Sequence, residues 1–356
     1  MEQLKINKLS APTWNWLKVN ETQIAWEGET APLKISVQEE ITSGTAGTLQ
    51  YMETGALQHI ETGAGREADR IFFGENAAGC RIDTDGGEQK TVRLRLDGKE
   101  QGKSAGVLEI YAAEQSRLTV VMDCRVKDSG DAFFAVRTLI QAGKGANVRL
   151  VQLLIPGSGS GFLNDIGGTC AEEAGVELIQ LCLGKGDLYD GCRMDLCGRE
   201  SRFSSEIGYL CQGSQKLDMN LEVNHLGEKT QSFIRAEGTL KERADKIFRG
   251  TIDFKRGSAG AEGQEEENVL LLGDDVRNRT VPLILCAEED VKGNHGATIG
   301  EPDEEALFYF ASRGIGKEMA EDIMTRAKLE RLCSRVQDEE TERIVKNAID
   351  EVMQNG

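Results

Sequence analysis

The chain has 356 residues, 39% of them hydrophobic, enough apolar material for a substantial core, which excludes global disorder. Acids outnumber bases 60 to 42, a net charge of −18, so phosphate backbones and anionic lipid repel it, and neither nucleic acid nor membrane is expected as a partner. No run approaches the roughly eighteen apolar residues that a membrane-spanning helix needs.

In chain order, the opening "MEQLKINKLSAPTWNW" has neither a continuous apolar stretch nor a small-residue cleavage site. No secretory signal is therefore expected, and the protein is read as cytoplasmic. Nine cysteines without a Cys-x-x-Cys pair fit reduced, buried thiols better than a disulfide framework or a self-contained zinc module. All three tryptophans, Trp14, Trp16 and Trp26, fall close to the start of the chain, suggesting a separate N-terminal packing unit within residues 1–100. "GKEQGKS" at 98–104 leans toward a phosphate-binding loop, but only three residues separate Gly98 from Gly102, one too few for backbone N–H groups to close around a phosphate. It is read as a polar hairpin turn between "VRLRL" and "VLEIY". "PGSGSGF" at 156–162 has glycines but no lysine, and is read as a mobile loop.

Five stretches of the middle follow one plan of polar turn, apolar anchor and alternation. They are "EQSRLTVVMD", "KGANVRLVQL", "EEAGVELIQL", "RESRFSSEIG" and "EKTQSFIRAE". Their anchors Leu118, Val148, Val176, Phe203 and Phe233 are spaced by 30, 28, 27 and 30 residues. Alternation predicts strands with one face inward, and a recurrence of about 28 residues predicts one coil of a parallel β-helix over 101–300. A β-sandwich remains the alternative.

Chemistry-bearing residues are scarce. The three histidines are His59, His225 and His295; the first two sit in alternating segments and are read as partly exposed sheet residues. The run Glu265–Glu266–Glu267 is read as solvated loop charge. His295 is set apart by Gly293 and Gly296, which suggest a turn that exposes the imidazole. A neutral imidazole is a good ligand for iron or zinc, and the plainer reading is a turn histidine bonded to its own loop.

After Pro302 helical spacing begins, giving a small helical domain over 301–356. Asp303 is the expected N-cap, Glu304 and Glu305 fill the first turn, and Gly314 is the stop. Leu307, Phe310 and Ala311 share one face. A second helix near 317–336 aligns Ala320, Ile323, Met324 and Ala327. A third near 338–353 aligns Val345, Ala348, Ile349 and Val352.

The stretch "NRTVPLILCAEEDVKGNHGATIGEPDEEALFYFASRGI" at 278–315 resembles the C-terminal signature of the SufB/SufD scaffold family of the SUF iron–sulfur cluster assembly system. The matching elements are Asp290-Val291-Lys292, His295-Gly296-Ala297-Thr298, Asp303-Glu304-Glu305, Phe308-Tyr309 and Ser312-Arg313-Gly314-Ile315. "RADKIFRGTIDFKRGSAG" and "ENVLLLGDD" resemble the family's closing core coils, and "APTWNWLKVNE" is similar to the opening of SufD-type members.

The resemblance implies a mainly β fold, a right-handed parallel β-helix core between a small N-terminal domain and a C-terminal helical domain. It implies a non-catalytic subunit that pairs with a SufB-type scaffold and docks a SufC-type ABC ATPase through its C-terminal helices. Leu307, Phe308, Tyr309, Phe310 and Arg313 are then the partner-binding residues. It also implies no stably bound cofactor, a transient iron–sulfur cluster in the complex, and His295 as a candidate cluster ligand. SufB-type members read Phe-Tyr-Cys where this chain has Phe310, which points to the SufD-type. The cysteine that many SufD-type chains carry two residues before the histidine is Gly293 here. The alternatives are a β-helix enzyme acting on carbohydrate, disfavoured by poor catalytic groups, and a stand-alone scaffold homodimer, disfavoured by the missing thiol at Phe310.

Overall fold

The structure is a computed structural model describing residues 3–354 apart from 14, 44–49, 52–54, 74–77, 129 and 337. Its body is a parallel β-solenoid of about eight turns, built from a ten-stranded and a nine-stranded sheet. The chain alternates between them, so each strand pairs with the strand one coil earlier and one coil later. The segment 98–101 is consequently a corner and not a hairpin turn: Gln89–Asp97 and Gly102–Ala112 lie in different sheets. The segment 156–160 is likewise a corner, with Pro156 O accepting from the N–H groups of Lys185 and Gly186 in the next coil. Rungs already precede residue 101, in Ala78–Asp83 and Gln89–Asp97.

The repeat spacing is one full coil. Leu118, Val148, Val176 and Phe203 are register neighbours in the nine-stranded sheet, and all are buried in the solenoid core. The fifth anchor is displaced: Phe203 aligns with Ser232, and Phe233 aligns with outward Ser204. Phe233 instead packs on the outer face beneath the Arg235 guanidinium, 4.8 Å from its ring centroid. Ser232 is held inward by a polar partner, for its hydroxyl lies 2.8 Å from His225 Nε2.

A recurrent corner keeps the coils in step. Gly87, Gln115, Gly145, Glu173, Glu200, Lys229 and Gly260 precede successive strands of the nine-stranded sheet, all with positive φ. Each donates its N–H to a carbonyl of the following coil, as in Glu173 to Arg199 O and Glu200 to Glu228 O. Only glycine adopts this conformation freely, so the four non-glycine corners are held there by the ladder above and below them.

Both outer faces are partly covered. On the ten-stranded sheet, Leu4, Ile6, Ile24 and Trp26 pack with Ile71 and Phe72 of the short helix α1 (Asp69–Phe72) against Val107, Leu139 and Leu163. Two buried arginines fasten this layer: Arg137 binds Asp165 and Asp69, and Arg249 binds Asp218 and the Val19 carbonyl. Trp26 therefore packs on the solenoid itself and not in a separate unit. Trp26 meets Phe133 edge-on at 5.3 Å, Trp16 is exposed, and Trp14 lies outside the described residues.

On the nine-stranded sheet lie helices α3 (Lys317–Cys333) and α4 (Glu339–Gln354), preceded by α2 (Glu304–Ser312), which packs against α3. Asp303 caps α2 by accepting from the Glu305 N–H at 3.1 Å, and Gly314 follows it at φ 77°. Helices α3 and α4 bury Leu329, Leu332, Cys333, Val345, Ala348 and Ile349 against Val121, Val151, Ile179 and Leu210. The inner face of α3 overlaps the expected one only in part: Ala320 is buried and Met324 half-buried, but the sheet lies on the Leu329–Leu332 side. Ile323 is 41% exposed and Ala327 is exposed as well.

His225 is fully buried, and not the partly exposed sheet residue expected. Its Nδ1 lies 2.7 Å from Thr230 Oγ1, and its ring centroid lies 4.7 Å from that of Phe254, with the planes tilted by 31°. Burial pulls its imidazole down to about 4 from an ordinary 6.5. The unfolded chain takes a proton below about 6.5 that the native state refuses until about 4, so stability is full above that window and falls as pH drops through it. Acidification from pH 7 to 4.5 should cost roughly 2–3 kcal/mol through this residue. Urea melts at the two pH values, on the wild type and on His225→Gln, would isolate it; equal losses in both would refute the assignment.

Candidate functional site at the C-terminal end of the solenoid

The two ends of the solenoid differ. At the N-terminal end, Lys34–Thr42 and Gln50–Tyr51 pair antiparallel with the strands beside them, the first with a register break between Val37 and Glu39. Such irregular, charged edges resist further strand addition. At the other end Arg277–Cys286 and Val291–Gly300 are the outermost strands of the two sheets. No described residue pairs with either outer edge. The inner face beside them is apolar in part, with Ile284 38% and Ile299 44% exposed.

His295 lies in this last strand, Val291–Gly300, and not in the expected turn. The glycines at 293 and 296 are strand residues; a Cβ at 293 would come within 2.9 Å of Ile284 Cγ2, so glycine there permits close packing of the two last strands. His295 aligns with Glu265 of the strand before it, and its Nδ1 lies 3.3 Å from Glu265 Oε1. The imidazole is a quarter exposed while the carboxylate is buried. Partial burial moves the imidazole below its ordinary range, and the neutral form of an imidazole is the one that binds a metal.

The acidic run around Glu265 is not solvated loop charge. It belongs to the strand Ala261–Leu272, in which Glu265 and Glu267 face inward and Glu266 faces out toward Arg235. Glu267 accepts from buried Lys246 and from the Thr280 hydroxyl. Burial lowers the Lys246 ammonium to about 7 and raises the Glu265 carboxyl to about 7, with Lys246 pulling the latter back. This interior cluster was invisible to motif reading, although strict alternation with Gly263 and Val269 carries its signal.

Four of the five expected partner-binding residues sit on α2, which buries no residue, and the fifth, Arg313, caps its C-terminus. Phe308 is 76% and Tyr309 53% exposed; Arg313 stacks over Tyr309 at 4.5 Å, and Leu307 and Phe310 are half-buried. Met319 and Ile323 of α3 are exposed as well. His59 stands apart from both places, in an exposed turn and not on a strand. Of the cysteines, seven are buried, and Cys197 and Cys286 are exposed. Among the described residues no group of three or more His, Cys, Asp and Glu side chains could hold a metal ion, and no helix is long and apolar enough to cross a membrane. A groove of about 800 Å³ runs along the nine-stranded sheet. Its carboxylates Glu177 and Glu262 are tied to Arg149 and Lys292, which leaves them ill-suited to acid–base work on a sugar.

Residues 95–328 match the family described as SUF system FeS cluster assembly, SufBD core domain. The iron-sulfur cluster assembly protein SufD of Bacillus subtilis (strain 168) is 26% identical over 217 residues, 60% of this chain and 50% of that protein. SufD of Escherichia coli (strain K12) is 32% identical over 100 residues, 28% of this chain and 24% of the relative. SufB of Bacillus subtilis is 26% identical over 161 residues, 45% and 35% of the two chains. The chain thus spans half or less of the length of these relatives. With a parallel solenoid matched over most of its coils and a phenylalanine at position 310, the chain belongs to the SufB/SufD family of the SUF system for iron–sulfur cluster assembly and is SufD-type.

Proposed function

We propose that this chain is a non-catalytic scaffold subunit of a cytoplasmic SUF complex. It pairs with a SufB-type subunit through the C-terminal end of its solenoid and docks a SufC-type ABC ATPase on the exposed face of α2. The observation that carries the reading is the pair of uncovered sheet edges around His295. Edge strands with free N–H and C=O groups join readily to another chain. Among the described residues the regular parallel edges lie at this end, the other end finishing in the antiparallel strands Lys34–Thr42 and Gln50–Tyr51. On α2, Phe308 and Tyr309 with stacked Arg313 are the residue types that anchor interfaces.

The cluster is cargo in this reading. Iron–sulfur sites use about four protein ligands in all, and at the open end this chain offers at most the His295 imidazole and the exposed Cys286 thiol. At least one thiolate then comes from the SufB-type partner, and His295 lends a nitrogen at the shared interface. ATP chemistry belongs to the docked ATPase.

Co-expression with the cognate SufB-type and SufC-type proteins tests each part. The double variant Phe308→Ser/Tyr309→Ser should lose the ATPase, with at least a tenfold weaker affinity, and keep the SufB-type partner. His295→Ala should keep both partners and lower cluster yield on anaerobic reconstitution. Unchanged ATPase binding in the first variant would overturn α2 as the dock, and unchanged cluster yield and lifetime in the second would overturn the ligand role.

A further inference from the structure

Glu265 poses a question that its burial makes sharp. It is 1% exposed, and its Oε1 has no aligned hydrogen-bond donor among the described residues. A buried acceptor left unpaired costs about 1–3 kcal/mol, and more when charged, so such groups need a reason. The neighbouring donors are engaged elsewhere: the Lys246 ammonium and the Thr280 hydroxyl both bind Glu267. The group that faces Oε1 is His295 Nδ1, 3.3 Å away on the adjacent strand. A small rotation of the imidazole would bring that N–H into line.

The opposite sheet is shaped to admit this carboxylate. Position 250 is glycine, and a Cβ there would stand 2.0 Å from Glu265 Oε2. The seat thus depends on a residue with no side chain, in a strand that otherwise carries buried Phe248 and Ile252.

We propose that Glu265 is a positioning residue for His295, taking its Nδ1–H and thereby leaving the Nε2 lone pair free for iron at the open end of the solenoid. A neutral imidazole carries a single N–H, so the partner of one nitrogen decides what the other can do. Metal-binding histidines are commonly oriented in this way, by a carboxylate on the nitrogen away from the metal. The inference rests on the ligand reading of His295 given above and extends it to the residue that orients the ring.

The full-length chain labelled with 15N-histidine offers three imidazoles, one of them His295, identified by its absence in His295→Ala. Long-range 1H–15N correlation at pH 8 reads the tautomer of each ring without iron or partners. The wild type should show His295 protonated on Nδ1. In Glu265→Ala it should revert to the Nε2–H form that free histidine favours in water. Gly250→Ala, which displaces the carboxylate without changing charge, should lower the Nδ1–H share. The His225 signals, fixed by Thr230 and Ser232 inside the core, report that each variant is folded. An Nε2–H tautomer in the wild type, or an Nδ1–H tautomer that survives Glu265→Ala, would overturn the proposal.

In the reconstituted complex, Glu265→Ala should speed cluster loss to a chelator by roughly tenfold, the usual size of such orienting effects. Unchanged loss there would also count against it. The two readings fail separately. A normal cluster in His295→Ala would sink the ligand role and leave the tautomer result standing, whereas a wrong tautomer would sink Glu265 alone.

Discussion

Replacing Val176 with aspartate should cost about 4 kcal/mol or more, a large part of the roughly 5–15 kcal/mol by which a folded domain is stable. Val176 is 3% exposed and sits in a column between Val148 and Phe203, one coil away on either side. A carboxylate there would lie among apolar groups with no cation in the neighbouring coils of the column, Lys90 being three coils away. It would either stay charged without a partner or take up a proton at a cost. Coils of a solenoid bury their faces against one another, so damage in one coil removes the support of both neighbours. Val176→Ala removes only apolar contact and should cost about 2 kcal/mol. Asn147→Asp adds the same charge one residue from the column but on the exposed side, beside Arg117 in register, and should stay within about 0.5 kcal/mol. Urea unfolding of the three variants would check the order, and an aspartate at 176 as benign as one at 147 would contradict the packing.

Truncation after Gly300 should have the second large effect, and its reason lies in α3 and α4. If the tail were an independent helical domain, the solenoid would survive its removal. In the structure, removal uncovers a row of aliphatic side chains on successive strands, Val121, Val151 and Ile179. Burial of such surface contributes about 25 cal/mol per Å², and a contiguous exposed patch of this kind drives association. Leu332 sits so close to the sheet that a Cβ at Gly208 would be 2.1 Å from its Cδ1. The truncated chain should therefore bind hydrophobic dyes and aggregate. Phe308→Ser/Tyr309→Ser, by contrast, should keep the wild-type stability to within about 0.5 kcal/mol, as surface substitutions do. A truncated chain with the wild-type midpoint would show that α3 and α4 contribute nothing to the body.

The sequence by itself determined the features that local chemistry fixes. Alternation set the strands, and the regular recurrence of the anchors set the length of a coil, because each coil repeats one turn-and-strand plan. Asp303 and Gly314 bounded α2, since caps and left-handed stops act within one helical turn. The apolar face of α4 followed from its spacing. The motif around His295 placed the chain in its family.

Tertiary structure decided the phase of each pattern and the environment of each polar group. Alternation says that two sets of side chains face opposite ways; it does not say which set faces inward, so Glu265 and Glu267 read as solvent charge and Phe233 read as core. Contacts from other coils chose: Lys246 and Thr280 drew Glu267 inside, Gly250 made room for Glu265, and His225 drew Ser232 inward. The face that α3 buries was chosen in the same way by a sheet far away in sequence, and so was the burial of His225. The most informative pair in the site, His295 with Glu265, is separated by a full coil of chain and becomes adjacent only because the solenoid closes one turn between them.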